Sequence, residues 1–188
     1  SGTGPGDDGK CAAGLAQAGG PDCMLTGLPP LVSGQTRLLI LGSFPGVTSL
    51  AAQQYYGHPQ NQFWKILQAI WPSSVIAGGA DSYKIRSEWL LSRKLGLWDV
   101  YAACEREGSL DSAIRRPVVN NFAAIQRLCP ALQAIAHNGG ESFKHSKQTL
   151  QLGVPVYKLP STSPANASWS FDRKLAAWRE IFEKNGLI

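Results

Sequence analysis

The sequence lacks the features that would place it in a membrane or around a metal ion. It has no stretch of about 18 consecutive apolar residues, which excludes a membrane-spanning helix. Residues 12–20 lack the length and the cationic flank of a signal peptide. No C-x-x-C or His-x-His spacing occurs among the four cysteines, Cys11, Cys23, Cys104 and Cys129. We therefore expect a soluble protein with reduced thiols, without a metal and without a cofactor.

Acidic residues are also scarce outside the first part of the chain. Residues 1–30 are rich in glycine and poor in large apolar side chains, so we interpret them as a flexible leader. They hold Asp7, Asp8 and Asp22 against Lys10 alone, so a total of +5 leaves +7 for residues 31–188. The chain of 188 residues is 44% hydrophobic, so residues 31–188 should form a single domain. Its basic charge favours a polyanionic partner such as a nucleic acid, because phosphate neutralisation releases counterions, although many basic proteins bind no nucleic acid.

Short apolar runs alternate with amphipathic segments along residues 36–188. The predicted strands are 36–42, 97–101, 132–136 and 154–159. The predicted helices are about 63–71, 84–95, 120–128 and 140–151, followed by a closing helix with Phe171, Leu175, Trp178 and Phe182 on one face. Strands that alternate with helices pair in parallel through right-handed crossovers. This order predicts a three-layer α/β/α fold around a mainly parallel four-stranded sheet.

In such folds, ligands bind beyond the carboxyl ends of the strands. The loops that start at Gly42, Asp99, Asn138 and Ser161 should therefore converge on one crevice. The first of them, Gly42-Ser-Phe-Pro-Gly46, offers small residues where backbone can approach a ligand closely. It matches neither a Walker A loop nor the dinucleotide-binding fingerprint. Taken alone, it could equally be an ordinary turn after a strand.

A second segment, residues 54–64, concentrates aromatic, amide and imidazole groups directly before a predicted helix. A helix start directs unpaired N–H groups and a positive dipole end outward, so a polar side chain there can hold water or an anion. Structural alternatives exist for each residue. Asn61 could cap the helix, His58 could bind a loop carbonyl, and Tyr56 could pack on the core.

These segments together resemble one branch of a known family. Gly42-Ser-Phe-Pro-Gly46, Tyr55-Tyr-Gly-His-Pro-Gln-Asn-Gln-Phe-Trp64 and Ser161-Thr-Ser-Pro-Ala-Asn166 resemble the hypoxanthine-DNA (deoxyinosine) glycosylases of the uracil-DNA glycosylase superfamily. The His-Pro-x-Asn-x-Phe-Trp part is also similar to the mismatch-specific uracil/thymine glycosylases. The resemblance extends from about Gly27 to the end of the chain. It implies a monofunctional DNA glycosylase of base-excision repair that hydrolyses the N-glycosidic bond of a deaminated base.

The resemblance also implies roles for particular residues. The sugar side of the site would be lined by Gly42, Ser43, Phe44, Pro45 and Gly46. Tyr56 would stack on the extruded base. The remaining candidates for contact with the base or sugar are His58, Asp99 and Asn138, although Asp99 could also simply cap a turn. The minor groove and the DNA backbone would be contacted by Ser163, Pro164, Ala165 and Asn166.

The chain departs from most of the superfamily at two places. Most members have Asp or Asn in the first motif, where this chain has Phe44, and uracil-specific relatives usually have a catalytic-type His where it has Ser161. The deoxyinosine branch resembles this pattern, which implies Asn61 as the catalytic, water-orienting residue and hypoxanthine as the favoured base. No lysine lies in the matched motifs, and Lys65 falls one turn into a helix, so we expect no Schiff-base lyase step.

Two other functions stay open at this point. The protein could be a uracil-DNA glycosylase that acts on G:U mismatches or single strands. It could instead be a non-catalytic DNA-binding module, in which six tryptophans stack on bases and Arg115-Arg116 contacts phosphates, although a solvated turn is the simpler interpretation of that pair. We expect a monomer that binds DNA and no membrane, located in the cytoplasm of a bacterial-type cell and associated with the nucleoid.

Overall fold

A computed structural model describes residues 23–74, 76 and 82–188 of the chain. The strands are β1 (Met24–Thr26), β2 (Leu38–Gly42), β3 (Leu95–Asp99), β4 (Tyr101–Glu105), β5 (Arg115–Val119), β6 (Ala134–Asn138) and β7 (Val156–Leu159). The helices are α1 (Val47–Ala52), α2 (Phe63–Ile70), α3 (Ser82–Ser92), α4 (Ala123–Leu128), α5 (Gly140–Phe143), α6 (Ser146–Leu150) and α7 (Phe171–Lys184). A short 3-10 helix spans Asp111–Ala113.

The main sheet has four parallel strands in the order β3-β2-β6-β7, which confirms the predicted architecture. Strand β2 is buried along its whole length, as expected for a strand covered on both faces. Its alternate residues face opposite sides: Leu38 and Ile40 lie in a core with helices α2 and α7, whereas Leu39 and Leu41 lie in a core with α4. The sheet is therefore the middle one of three layers.

Helices α2 and α7 cover one face of this sheet as their apolar spacing predicted. Phe63, Ile66 and Leu67 of α2 are fully buried, and the helix ends before Trp71 and Pro72. In α7, Trp178 and Phe182 are fully buried. Burial of each such side chain stabilises the fold by roughly 1.5–3 kcal/mol.

Two predicted elements are divided in the structure. The predicted strand at 97–101 is instead β3, which ends at Asp99, and β4, which starts at Tyr101 and belongs to another sheet. The chain leaves the main sheet at Val100, whose N–H donates to the carbonyl of Gly42 at 2.8 Å. The predicted helix at 140–151 is two short helices, α5 and α6, separated by Lys144 and His145. Apolar spacing carries no signal for either break.

A second sheet, antiparallel and in the order β1-β4-β5, was not predicted. Strand β1 pairs with β4, and Leu28 is buried, so the folded part starts before the expected boundary at residue 31. Residues 1–22 of the expected leader lie outside the described residues. Arg115 and Arg116 begin β5 rather than a turn, with both side chains exposed and Arg116 paired to Glu105 at 3.4 Å.

The cysteines differ from expectation at one position. Cys104 and Cys129 are free and buried, as predicted for reduced thiols, whereas Cys23 takes part in a disulfide bond. In the described part of the chain, no helix has both the length and the apolar character needed to cross a membrane.

Candidate active site

A cavity of about 920 Å³ opens at the carboxyl edge of the main sheet. The strand ends Gly42, Asp99, Asn138 and Leu159 all line it, so the loops that were predicted to converge do meet there. Each residue that the sequence analysis assigned to the site lies on its wall. The roles assigned to these residues stay predictions.

The glycine at the end of β2 allows a close approach between two strand ends. Gly42 and Asp99 are register partners in neighbouring parallel strands. A Cβ atom built on Gly42 would lie 2.5 Å from Asp99 Oδ1 and 3.2 Å from the Tyr56 hydroxyl oxygen. Any side chain at this position would therefore displace two groups of the cavity wall.

The rest of the first loop is held by residues from the region that follows β4. Ser43 Oγ donates to Asp111 Oδ1 at 2.6 Å. Arg106, only 1% exposed, donates from Nη2 to the carbonyl of Pro45 at 2.6 Å, and its guanidinium lies 5.2 Å from the centre of the Phe44 ring. Phe44 is itself buried in the core on the α4 side. It brings no polar atom that could orient water.

Asn61 lies on the cavity wall two residues before the start of α2. Its Oδ1 accepts a hydrogen bond from the Phe63 N–H at 3.0 Å. An amide oxygen has two lone pairs, so this bond leaves one of them available for a second donor. The helix-start role and a water-orienting role are therefore compatible for this side chain.

Tyr56 stands beside the cavity in a left-handed backbone conformation, with φ of 55°. Its ring centre lies 4.2 Å from that of Phe63, with the two planes tilted by 30°. Burial raises the pKa of the Tyr56 phenol above its ordinary value, and the negative charge of Asp99 adds to this effect. The hydroxyl thus remains neutral, and it accepts a hydrogen bond from Asn138 Nδ2 at 3.1 Å.

Asn138 connects Tyr56 to the loop after β7. Its Nδ2 also donates to Thr162 Oγ1 at 3.0 Å, and its Oδ1 accepts from the Thr162 N–H at 3.0 Å. Both amide hydrogens of Asn138 are therefore used within the protein. The Thr162 carbonyl in turn accepts from the Gln62 N–H at 3.0 Å, which ties the same loop to the start of α2.

His58 and the tip of the last loop form the outer wall. The His58 side chain is exposed, and its Nδ1 accepts from the Gln60 N–H at 3.1 Å. The last loop turns where the Asn166 N–H donates to the Ser163 carbonyl at 3.0 Å, which leaves Pro164 and Ala165 exposed. This tip has the exposure needed to meet a large partner.

Asp99 is the buried acidic group of the site, with 4% of its surface exposed. Its Oδ2 is buried and has no hydrogen-bond partner within the described residues. Desolvation, followed by the negative charge of Asp111, raises the pKa of the Asp99 carboxyl to about 7, and the positive charge of Arg106 opposes this rise.

Several residues of the cavity wall were not predicted from the sequence. Ser109, Leu110 and Asp111 come from the segment after β4, which carries no motif and reaches the cavity only because β4 and β5 form a hairpin. Lys158 lies in β7 and was treated only as part of a strand. Trp169 follows the third motif closely, so its position could have drawn notice; its ring lies 4.1 Å from the Arg173 guanidinium.

Fold and cavity define an α/β enzyme whose site lies at the carboxyl edge of a parallel sheet. The profile of the uracil DNA glycosylase superfamily matches residues 29–182, and the chain belongs to this family. The resemblance inferred from the three motifs is thereby confirmed. The activity is that of a DNA glycosylase, a hydrolase that acts on N-glycosyl bonds, and the substrate is DNA.

The names of curated relatives agree with this assignment. A hypoxanthine DNA glycosylase of Methanosarcina barkeri is 37% identical over 160 residues, which are 84% of this chain and 98% of the relative. One from Methanosarcina acetivorans is 34% identical over 83% of this chain and 96% of its own length. A G/U mismatch-specific uracil DNA glycosylase of Schizosaccharomyces pombe is 26% identical over 54% of this chain and 30% of its own.

A solved structure supports the fold. The solution NMR structure of a candidate uracil DNA glycosylase from Methanosarcina acetivorans superimposes with a TM-score of 0.75 and 32% sequence identity. The match covers 87% of this chain and 99% of that chain.

Proposed function

We propose that this protein removes hypoxanthine from DNA by hydrolysing the N-glycosidic bond of deoxyinosine, as the first step of base-excision repair. The observation that carries the proposal is the place from which a polar side chain reaches the cavity: the start of α2 rather than the first loop. The first loop presents Phe44, which is buried in a core, whereas Asn61 brings an amide to the cavity wall from the start of α2. The names of the two Methanosarcina relatives support the same base.

The target nucleotide has to leave the duplex before it can enter the cavity, at a cost of a few kcal/mol. A cavity of about 920 Å³ is within the range that encloses a small ligand, so it can take a purine with its sugar. Stacking of the base on Tyr56, which Phe63 supports from behind, would offset this cost by roughly 1–3 kcal/mol.

Cleavage of the bond develops positive charge on the sugar. Asn61 is not basic enough to deprotonate water at neutral pH, so its Oδ1 orients the water, and deprotonation follows once the cation has formed. Asp111, held by Ser43 of the first loop, supplies a negative charge at the cavity that stabilises the sugar cation. The reaction is hydrolytic and stops at the abasic site.

The outer wall of the cavity provides the contacts to the DNA strand. Ser163, Pro164, Ala165 and Asn166 would press on the minor groove and the backbone. Lys158 on the wall and Arg115 and Arg116 on β5 are exposed cations that suit phosphate contacts. The enzyme would work as a monomer with a single catalytic domain, on DNA of the nucleoid in the cytoplasm.

A panel of duplexes tests the substrate. Wild-type protein in excess is incubated with duplexes that contain hypoxanthine, uracil, xanthine or ethenocytosine, and the strands are separated on a gel with and without alkali. We expect fastest cleavage at hypoxanthine and strand breaks only after alkali. Breaks without alkali would contradict a purely hydrolytic reaction, and absence of cleavage at hypoxanthine would contradict the proposed function.

Uracil is the second candidate base. The matched segment of the Schizosaccharomyces pombe enzyme favours it. The apolar Phe44 in the first loop argues against efficient uracil removal. Faster cleavage of a G:U or single-stranded uracil substrate than of the hypoxanthine duplex would decide for this alternative.

A further inference from the structure

Asp99 has an environment that neither a turn cap nor an ordinary ion pair explains. It lies on the cavity wall at the end of β3, yet it is almost fully buried. Neither of the two ion pairs found among the described residues includes it. Within the same part of the chain its Oδ2 is buried and has no hydrogen-bond partner, so the carboxyl at the cavity wall keeps unused hydrogen-bonding capacity.

The charges around Asp99 favour its protonated form. The charges that shift the pKa of Asp99 belong to Asp111 of the 3-10 helix and to Arg106 after β4. The charge of Asp99 in turn raises the pKa of Tyr55 and Tyr56, which lie before α2. The other titratable groups on the cavity wall are His58 and Lys158, both exposed. Burial and Asp111 outweigh Arg106, so the pKa of about 7 leaves a large fraction of Asp99 protonated at neutral pH.

A protonated carboxyl group can assist the departure of a purine base. When the bond between the sugar and N9 breaks, its electron pair moves onto the base, and a proton on N7 makes the base a better leaving group. A carboxylic acid that is still protonated near the working pH is suited to general acid catalysis. This argument rests on the proposed function, because hypoxanthine has an N7 and uracil does not.

We propose that Asp99 is the general acid of the reaction and donates its proton to N7 of the departing hypoxanthine. The C1′–N9 bond then breaks, the electron pair goes to N9, and the base leaves as a neutral tautomer. The oxygen of the water oriented by Asn61 bonds to C1′ and gives an abasic sugar. The water's proton passes to solvent, and the Asp99 carboxylate recovers one from solvent before the next turnover.

The pH profile of the wild-type protein is the first test and needs no variant. Single-turnover rates on a deoxyinosine duplex are measured from pH 6 to pH 9 with enzyme in excess. The rate should fall as pH rises through about 7, approaching tenfold for each further pH unit, because Asp99 loses its proton. A rate that stays constant up to pH 9 would overturn the proposal. No release of hypoxanthine at any pH would instead count against the proposed function.

Asp99→Asn identifies the group that is responsible. At pH 6 this variant should be about 10²- to 10⁴-fold slower than the wild type, and any remaining rate should not fall through pH 7. Glu107→Gln is the matched control, because it removes one exposed carboxylate from the next segment outside the cavity wall; it should keep the wild-type profile. Wild-type rates in Asp99→Asn would reject the assignment.

Binding provides a readout that does not depend on folding of the variant. A duplex with 7-deazahypoxanthine replaces N7 by a C–H group, so wild-type protein should bind it roughly 2- to 10-fold more weakly than the hypoxanthine duplex, through loss of one hydrogen bond. Both lesions carry a 2′-fluoro group on the sugar to prevent cleavage. Equal affinity for the two duplexes would overturn the contact with N7.

Discussion

The Asp99 carboxylate occupies the space in which a side chain on Gly42 would begin. Oδ1 of Asp99 lies 2.5 Å from the position of a Cβ on Gly42, a separation that Cβ atoms in proteins essentially never show. The two residues are register partners at the ends of neighbouring parallel strands. The first glycine of the first motif is thus required by the acidic group of the site rather than by backbone conformation.

Replacing this glycine should therefore damage the site more than the fold. Gly42→Ala is expected to displace Asp99 or Tyr56 and to lower the single-turnover rate on deoxyinosine at least tenfold, since small misplacements of reacting groups are costly. Gly34→Ala is the control, because nothing lies within 4 Å of its Cβ position. Comparable rates for Gly42→Ala and the wild type would contradict the close contact.

Asn61→Ala tests the water-orienting role. We expect a loss of at least 10²-fold in the single-turnover rate on deoxyinosine, with affinity for abasic-site DNA nearly unchanged. The loss of the hydrogen bond to the Phe63 N–H should lower stability by only about 1 kcal/mol, which a thermal melt measures. Gln60→Ala, a neighbouring exposed amide outside the cavity wall, should stay active. Full activity of Asn61→Ala would remove the residue from the mechanism.

The ring and the hydroxyl of Tyr56 can be tested with separate variants. Tyr56→Ala removes the stacking surface and should lower the rate at saturating enzyme by about 5- to 100-fold, corresponding to roughly 1–3 kcal/mol. Tyr56→Phe keeps the ring and loses only the acceptor for Asn138, so it should retain most of the rate. Stopped-flow measurements with a fluorescent base beside the lesion follow extrusion directly. An unchanged extrusion rate and equilibrium in Tyr56→Ala would exclude the stacking role.

His137 should make the free energy of unfolding depend on pH. It is fully buried between Ser142 and Thr149, and desolvation lowers its pKa from 6.5 to about 4. Between pH 6.5 and about pH 4, His137 is protonated in the unfolded chain but stays neutral in the folded protein. The contribution of His137 to the free energy of unfolding should therefore be fully present above pH 6.5 and fall by about 3 kcal/mol as pH drops to 4.

Urea unfolding of wild-type protein between pH 4 and pH 8 measures this dependence. His58→Gln serves as the control, since that imidazole is exposed, and it should show the same pH dependence as the wild type. His137→Gln should be less stable than the wild type at pH 7, and this difference should shrink by about 3 kcal/mol between pH 6.5 and pH 4. The difference isolates His137, because Asp99, with a raised pKa, changes stability in the opposite direction in both proteins. A difference that is constant over this interval would contradict a buried neutral imidazole.

Local pattern was sufficient for the main sheet and for the helices that cover it. Strand β2 is a run of apolar residues that ends in glycine, and α2 has its apolar side chains at helical spacing before a proline. Both signals lie within a few residues of the element they describe. The order of such elements then implied parallel pairing, and with it the edge of the sheet at which the site would lie.

The second sheet could not be predicted from local sequence patterns. β1 has only three residues and β5 begins with two arginines, so neither has the apolar alternation of a strand. Both exist because β4 offers edges on its two sides, with register irregularities where it pairs with β5. Pairing of this kind depends on contacts between segments far apart in the chain, which a local pattern does not carry.

For the site, sequence by itself determined that the residues of the matched loops meet: the glycine loop, Tyr56, Asn61, Asp99, Asn138 and the last loop all reach one cavity because parallel strands end at a common edge. Only the tertiary structure decided their chemical states. Asn138 is occupied by Tyr56 and Thr162, and Asp99 is desolvated beside Asp111. Hydrogen-bond partners and burial arise from the packing of distant segments, and these set both the pKa of a carboxyl and the atoms that remain free to meet a substrate.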